Sequence, residues 1–201
     1  VGSEMCIRDS NTKRLITSIK WVIFSIVVGI VAGSCGTAFY FALSVVTDFR
    51  MKYPWLIYFL PIGGLAIVGL YHLCKDDNDT GTNLVISAIH SGDKVPFIMA
   101  PLIFVSTLIT HLFGGSAGRE GAALQMGGSI GSSIGRVFRF DEKDKHVMIM
   151  CGMSAAFSAL FGTPMAAAIF SMEMISVGVM YYIALVPCVI SSPVSYTHLR
   201  A

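Results

Sequence analysis

Four long stretches of this chain are free of charge or nearly so, and they decide the class of fold. Trp21 to Thr47 contains no Asp, Glu, Lys or Arg, and neither does Tyr53 to Cys74. From Val95 to Gly135 the only charged residues are Arg119 and Glu120, and from Val147 to Ser192 the only one is Glu173. An uncharged apolar stretch of ~20 residues matches the hydrocarbon thickness of a bilayer. The chain is 54% hydrophobic and only 13% charged over 201 residues, too little charge to cover a soluble domain of that length. A helix satisfies its own backbone in lipid. The expected class is an all-α membrane protein whose surroundings are the lipid bilayer.

The remaining charge is segregated. Lys13, Arg14 and Lys20 precede the first apolar stretch, a bias that puts the N-terminus in the cytoplasm. That stretch is too long for a cleavable signal peptide and has no small-residue cleavage site. The formal net charge of +2 gives no reason to expect a nucleic-acid partner. Cys35, Cys151 and Cys188 sit inside apolar stretches and Cys74 at the end of one, with no metal-ligand or paired spacing. They read as small packing residues, and neither metal nor cofactor is expected. The two ends fit the rest poorly. Val1 to Ser10 and Pro193 to Ala201 show no helical period and resemble peptides translated from sequencing-adapter read-through. Residues 11–192 are therefore expected to be the native membrane-embedded part, with 1–10 and 193–201 artefacts.

The first span, about Leu15 to Val46, is long enough to need a strong tilt. Its Gly29, Gly33, Ser34 and Gly36 suit close helix packing. A short polar turn is expected from Phe49 to Tyr53, then a second span from Pro54 to Leu73, and a polar loop from Lys75 to Asp79. Thr82 to His90 is apolar but too short to cross, and Val95 to Phe113 reads as a full span. Ala117 to Val137 is rich in Gly, Ser and Ala, and Asp141 to His146 reads as a charged loop. Val147 to Phe161 and Pro164 to Val177 are split by Gly162-Thr163-Pro164, and Met180 to Ser191 is a last short piece. Short segments interrupted by Gly and Pro, beside full spans, are the pattern of discontinuous helices that line a site near the bilayer midplane.

The strongest local feature is Gly114-Gly115-Ser116-Ala117-Gly118-Arg119-Glu120-Gly121, which opens a small-residue helix. The first N–H groups of a helix lack internal partners and carry the positive end of its dipole. Glycines let a ligand approach them, which makes an anion site. A carboxylate at the same helix start competes for that site and leaves it when protonated, so Glu120 has the chemistry of a proton-sensitive gate. An intramembrane carboxylate is costly and hence a functional candidate; the alternative is a structural pair with Arg119 or another buried group. Thr80-Gly81-Thr82-Asn83 precedes the short apolar segment, where hydroxyls and free N–H groups either coordinate an anion or simply cap a helix. Ser154 to Met174 reads as a helix, a break at Gly162-Thr163-Pro164 and a second helix ending at Glu173, either a proton-relay residue or a locally bonded one.

In this order and at this spacing the three features resemble the CLC family of anion channels and anion/proton antiporters, across nearly all of Leu15 to Ser192. Gly118 to Gly121 (GREG) is similar to the GREGP gate motif, which matches Glu120 to the gating and proton-coupling glutamate. Thr80 to Asn83 falls where the family has its GSGIP anion loop, with Thr80 at the anion-coordinating serine. The resemblance implies anion-binding positions at Thr80, Gly81, Thr82, Asn83, Gly118, Arg119, Gly121 and Ala122, with Glu173 and Met174 secondary. It also implies the first half of an inverted repeat of broken helices, a homodimeric parent in the bacterial inner membrane, and fluoride or chloride exchanged for protons. The pattern departs at Ala122, where GREGP has proline, and at TGTN, which lacks the proline of GSGIP. The internal proton-accepting carboxylate of many chloride exchangers falls at Met174. Such departures resemble the fluoride-exporting branch. A chloride channel without proton coupling is the alternative.

A rival comes from another class. Gly127-Gly128-Ser129-Ile130-Gly131 fits the G-x-S-x-G pattern of serine hydrolases, which would make Ser129 the nucleophile of an intramembrane protease. It needs an activating histidine, and of His72, His90, His111, His146 and His198 only His111 lies well inside a span. Small-residue helix packing explains the same glycines.

Overall fold

The structure, a computed structural model, describes residues 2–73, 96–174 and 181–200, with side chains treated only between Thr17 and Thr197. The loop at 75–79, the Thr80–Asn83 motif and the short apolar segment lie outside the described residues. Helix α1 spans Gly2–Lys52, a 3-10 segment Pro54–Phe59 leads into α2 (Leu60–Leu73), and α3 covers Met99–Leu112. Then come α4 (Arg119–Val137), α5 (Glu142–Phe161), α6 (Pro164–Glu173), a 3-10 turn at Tyr182–Ala184 and α7 (Leu185–Arg200). No strand occurs among the described residues.

Helix α1 has apolar residues all round, as a membrane span requires. One stripe (Ser25, Val28, Gly29, Ala32, Gly33, Gly36, Phe39 and Leu43) is buried at helical spacing. The opposite face exposes Ile19, Ile23, Val31, Phe41 and Val45. Helix α2 is more extreme: Gly63 is its only buried residue, while Leu65 and Val68 are exposed. Thr17–Lys52 and Pro54–Leu73 are each long and apolar enough to cross a bilayer.

The core sits around α5, which is buried almost continuously from Val147 to Leu160 and packs on α1, α4, α6 and α7. Glycine makes the closest crossings possible. A Cβ on Gly127 would collide with the Gly152 carbonyl, one on Gly131 with the Met148 carbonyl, and one on Gly152 with the Gly127 carbonyl. Gly36 meets Ala156 and Ala159 of α5, and Gly29 and Gly33 meet Ser191, Val194 and Ser195 of α7. Serines bind α5 to α7. Ser154 and Ser192 share a short hydrogen bond, Ser158 Oγ donates to the Ser192 carbonyl at 2.8 Å, and Ser195 Oγ donates to the Ala155 carbonyl at 2.6 Å. Where lipid is as apolar as leucine, close backbone approach and interhelical hydroxyls do this work. Cys151 and Cys188 are buried and Cys35 half-buried, all as free thiols.

Several boundaries differ from the sequence reading. The turn expected at Phe49–Tyr53 is instead the last turn of α1 and its end, where the Tyr53 N–H bonds the Phe49 and Arg50 carbonyls. The full span expected from Val95 to Phe113 is shortened to α3, because Pro96 to Ile98 form a turn before it. The charged loop at Asp141–His146 is mostly the first turn of α5, with Asp141 as its N-cap and Glu142 and Asp144 at the end that favours negative charge. Ser34 is exposed and bonds its own helix at the Ile30 carbonyl, so it takes no part in the small-residue contact. Pro193 to Arg200, set apart in the sequence, continue α7, and Ser195 is buried.

An aromatic clamp joins the start of α1 to the α4–α5 turn. Phe24 lies 4.9 Å from Phe138 and 4.6 Å from Phe140, Lys20 pairs with Asp144 at 2.7 Å, and Lys20 Nζ stands 4.4 Å over the Phe140 ring. The clamp sets α4 antiparallel to α1 and carries the start of α4 toward the far end of α1.

Candidate functional site

The glycine motif is built by two helix ends. Helix α3 closes at Gly114, whose φ of 82° is open to glycine but costly for other residues. Gly114 N–H bonds the His111 carbonyl and Gly115 N–H the Thr110 carbonyl at 2.8 Å, the six-to-one bond that terminates helices at a left-handed residue. The chain then extends through Gly118, with φ −67° and ψ 124°, and α4 begins at Arg119. Gly118 occupies the N-cap with no side-chain hydrogen bond. The first N–H groups of α4 are therefore not consumed by a capping side chain, which leaves them available to an anion.

Glu120 sits in that first turn. A Cβ built on Gly118 would stand 3.5 Å from its Oε2, so the carboxylate folds back over the helix start. Gly118, Arg119 and Glu120 are exposed, Gly121 is half-buried and Ala122 is buried, and the next turns of α4 run straight into the core. Among the described residues Arg119 and Glu120 form no ion pair with each other or with another group. The arrangement places one carboxylate beside a helix start that has no capping side chain.

The second hairpin forms as the sequence suggested. Gly162 closes α5 at φ 69°, and Thr163 occupies the N-cap position of α6 without a side-chain hydrogen bond, with Pro164 at the first helical position. Glu173 is exposed at the end of α6, and Met174 is half-buried against the core with its N–H on the Phe170 carbonyl at 2.9 Å. Helix α6 packs on α5 and α7, and no hydrogen bond or ion pair joins Glu173 to Glu120 among the described residues.

The hydrolase pattern finds a structural use. Ser129 is fully buried and its hydroxyl donates to the Pro96 carbonyl at 2.8 Å, while His111 Nδ1 lies 2.9 Å from the Thr107 carbonyl of its own helix. One feature was missed in the sequence: Arg50 in the last turn of α1 lies against Gly114, its Nη1 3.4 Å from where a Cβ would stand. The only signal was a cation at the end of a span.

Short apolar helices broken at Gly114 and Gly162, with a carboxylate in the first turn of one of them, make up a membrane bundle of broken helices. The family described as voltage gated chloride channel matches residues 63–201, and the chain belongs to it. A chloride/fluoride channel protein of Pseudomonas syringae pv. tomato is 42% identical over 177 residues, covering 88% of this chain and 39% of that protein. An H+/Cl− exchange transporter of Vibrio campbellii is 27% identical over 172 residues, covering 78% of this chain and 37% of the transporter. The crystal structure of a CLC-type fluoride/proton antiporter superposes with a TM-score of 0.84 at 37% identity, covering 90% of this chain and 46% of that chain. The chain thus spans less than half the length of the curated relatives it matches. These relatives are channels and transporters rather than enzymes.

Proposed function

We propose that the parent of this chain exchanges a small inorganic anion for protons, and that this chain supplies the first of two inverted halves. The observation that carries the reading is Glu120, a carboxylate folded over an uncapped helix start. An anion from the cytoplasmic side passes Thr80, Gly81, Thr82 and Asn83 and rests on the backbone of Gly118, Arg119, Gly121 and Ala122. Deprotonated Glu120 competes for that place, and protonated Glu120 gives it up. Each exchange of occupant then moves a proton in step with the anion.

Fluoride is the favoured substrate. The 42% identical relative is named for chloride and fluoride, and the 37% identical structure is a fluoride/proton antiporter. Met174 stands where a chloride exchanger's internal carboxylate is expected, which points the same way, and Glu173 is left as a secondary residue, exposed at the end of α6. Two copies of the full parent pair in the bacterial inner membrane, with Lys13, Arg14 and Lys20 on the cytoplasmic side. The test is ion-selective-electrode efflux from liposomes holding the full-length parent. Fluoride efflux well above chloride supports the assignment, and dominant chloride efflux reverses the choice of anion.

A further inference from the structure

Arg50 carries a charge that the path to Glu120 described above does not use. It is half-buried in the last turn of α1. With Met51, Pro54, Ile57 and Gly114 it lines a cavity of about 280 Å³. Its guanidinium lies on the Gly114 turn, which feeds directly into the Gly118–Gly121 helix start. Among the described residues its polar contact is a long one, from Nη2 to Met51 Sδ at 3.9 Å. No carboxylate pairs with it among the described residues. Asp48 is two positions back on the same helix, and residues so spaced do not face each other.

A guanidinium is charged at every accessible pH and offers five N–H donors. Partly exposed on the cavity and with no carboxylate beside it among the described residues, the guanidinium is open to a small anion. Its depth also fits such a visitor. From Phe24, held against Phe138, α1 rises ~39 Å to Arg50, whereas α4 rises only ~28 Å back to Arg119. The helix start therefore lies on the order of 10 Å inside the level of Arg50, about one Debye length in physiological salt. The cavity is wider than a bare halide and accepts one with part of its hydration shell.

We propose that Arg50 forms a capture site for a small inorganic anion at the rim of the pathway, on the membrane face opposite Lys20, and concentrates the anion ahead of the Gly118–Gly121 site. This rests on the anion-transport reading above. The test uses the full-length parent in liposomes, with fluoride and chloride as separate probes. Initial rates are measured against anion concentration for wild type, R50Q and R50K, at low and high ionic strength. R50Q is expected to raise the half-saturating anion concentration about tenfold at low ionic strength while leaving the maximal rate unchanged. High salt shrinks that difference by screening. R50K, which keeps the charge without the fork, stays within about twofold of wild type. Should R50Q not reconstitute, R50K decides alone: a fallen maximal rate there makes Arg50 a steric clamp on the Gly114 turn and overturns the capture site. R50Q with wild-type kinetics overturns it equally. A wild-type parent that moves neither anion contradicts the transport reading itself, and the capture site falls with it.

Discussion

Gly127 of α4 and Gly152 of α5 meet backbone to backbone, each so close to the other's carbonyl that a Cβ on either one has no room. The contact lies in the middle of the most extensive helix pair in the structure. It fixes how α4 passes the core, and so where the helix start with Glu120 ends up. G127V and G152V in the full parent are each expected to cost about 1–3 kcal/mol or more, because the clash is with backbone rather than with a movable side chain. Thermal unfolding followed by size-exclusion elution in detergent reads the loss; wild-type stability in G152V would show that the two helices do not cross this closely.

Gly162 and Gly64 make a controlled pair. Gly162 has φ 69° and joins α5 to α6, whereas Gly64 lies within α2 with nothing within 4 Å of its missing Cβ. G162A is expected to destabilise by about 1–2 kcal/mol through left-handed strain. G64A is expected to stabilise by ~0.5–1 kcal/mol, since alanine is the better helix former. Melting temperatures of the two variants that move in the same direction would contradict this account of the hairpin.

Ser129 is a structural hydroxyl. S129A removes the bond to the Pro96 carbonyl and is expected to cost on the order of 1 kcal/mol, with anion flux retained and no labelling of wild type by a fluorophosphonate probe. Covalent labelling of Ser129 would reopen the hydrolase reading.

These cases show which parts of the molecule were legible in its sequence. The breaks at Gly114 and at Gly162-Thr163-Pro164 were visible because glycine and proline carry their backbone consequences locally. Absence of charge marked the first two spans well, and the buried stripe on α1 followed from Gly29, Gly33 and Gly36. Helix lengths were less legible. The sequence treated Phe49–Tyr53 and Asp141–His146 as loops because they are polar, yet all but Tyr53 and Asp141 are helical: a polar residue at a membrane interface needs no loop. Glu120 was singled out by its motif, while its return over Gly118 depends on the rotamer and needed coordinates. Arg50 was invisible as a site residue because its partner, Gly114, lies far along the chain.

The central claim is that Glu120 couples anion movement to protons. The direct measurement records anion and proton flux together, with ion-selective and pH electrodes, from liposomes holding the full-length parent or its E120Q variant. The account predicts that the wild type drives protons against the anion gradient, and that E120Q, with the competing charge removed, passes anion without moving protons. Proton transport in E120Q that still tracks the anion as it does in wild type would contradict it.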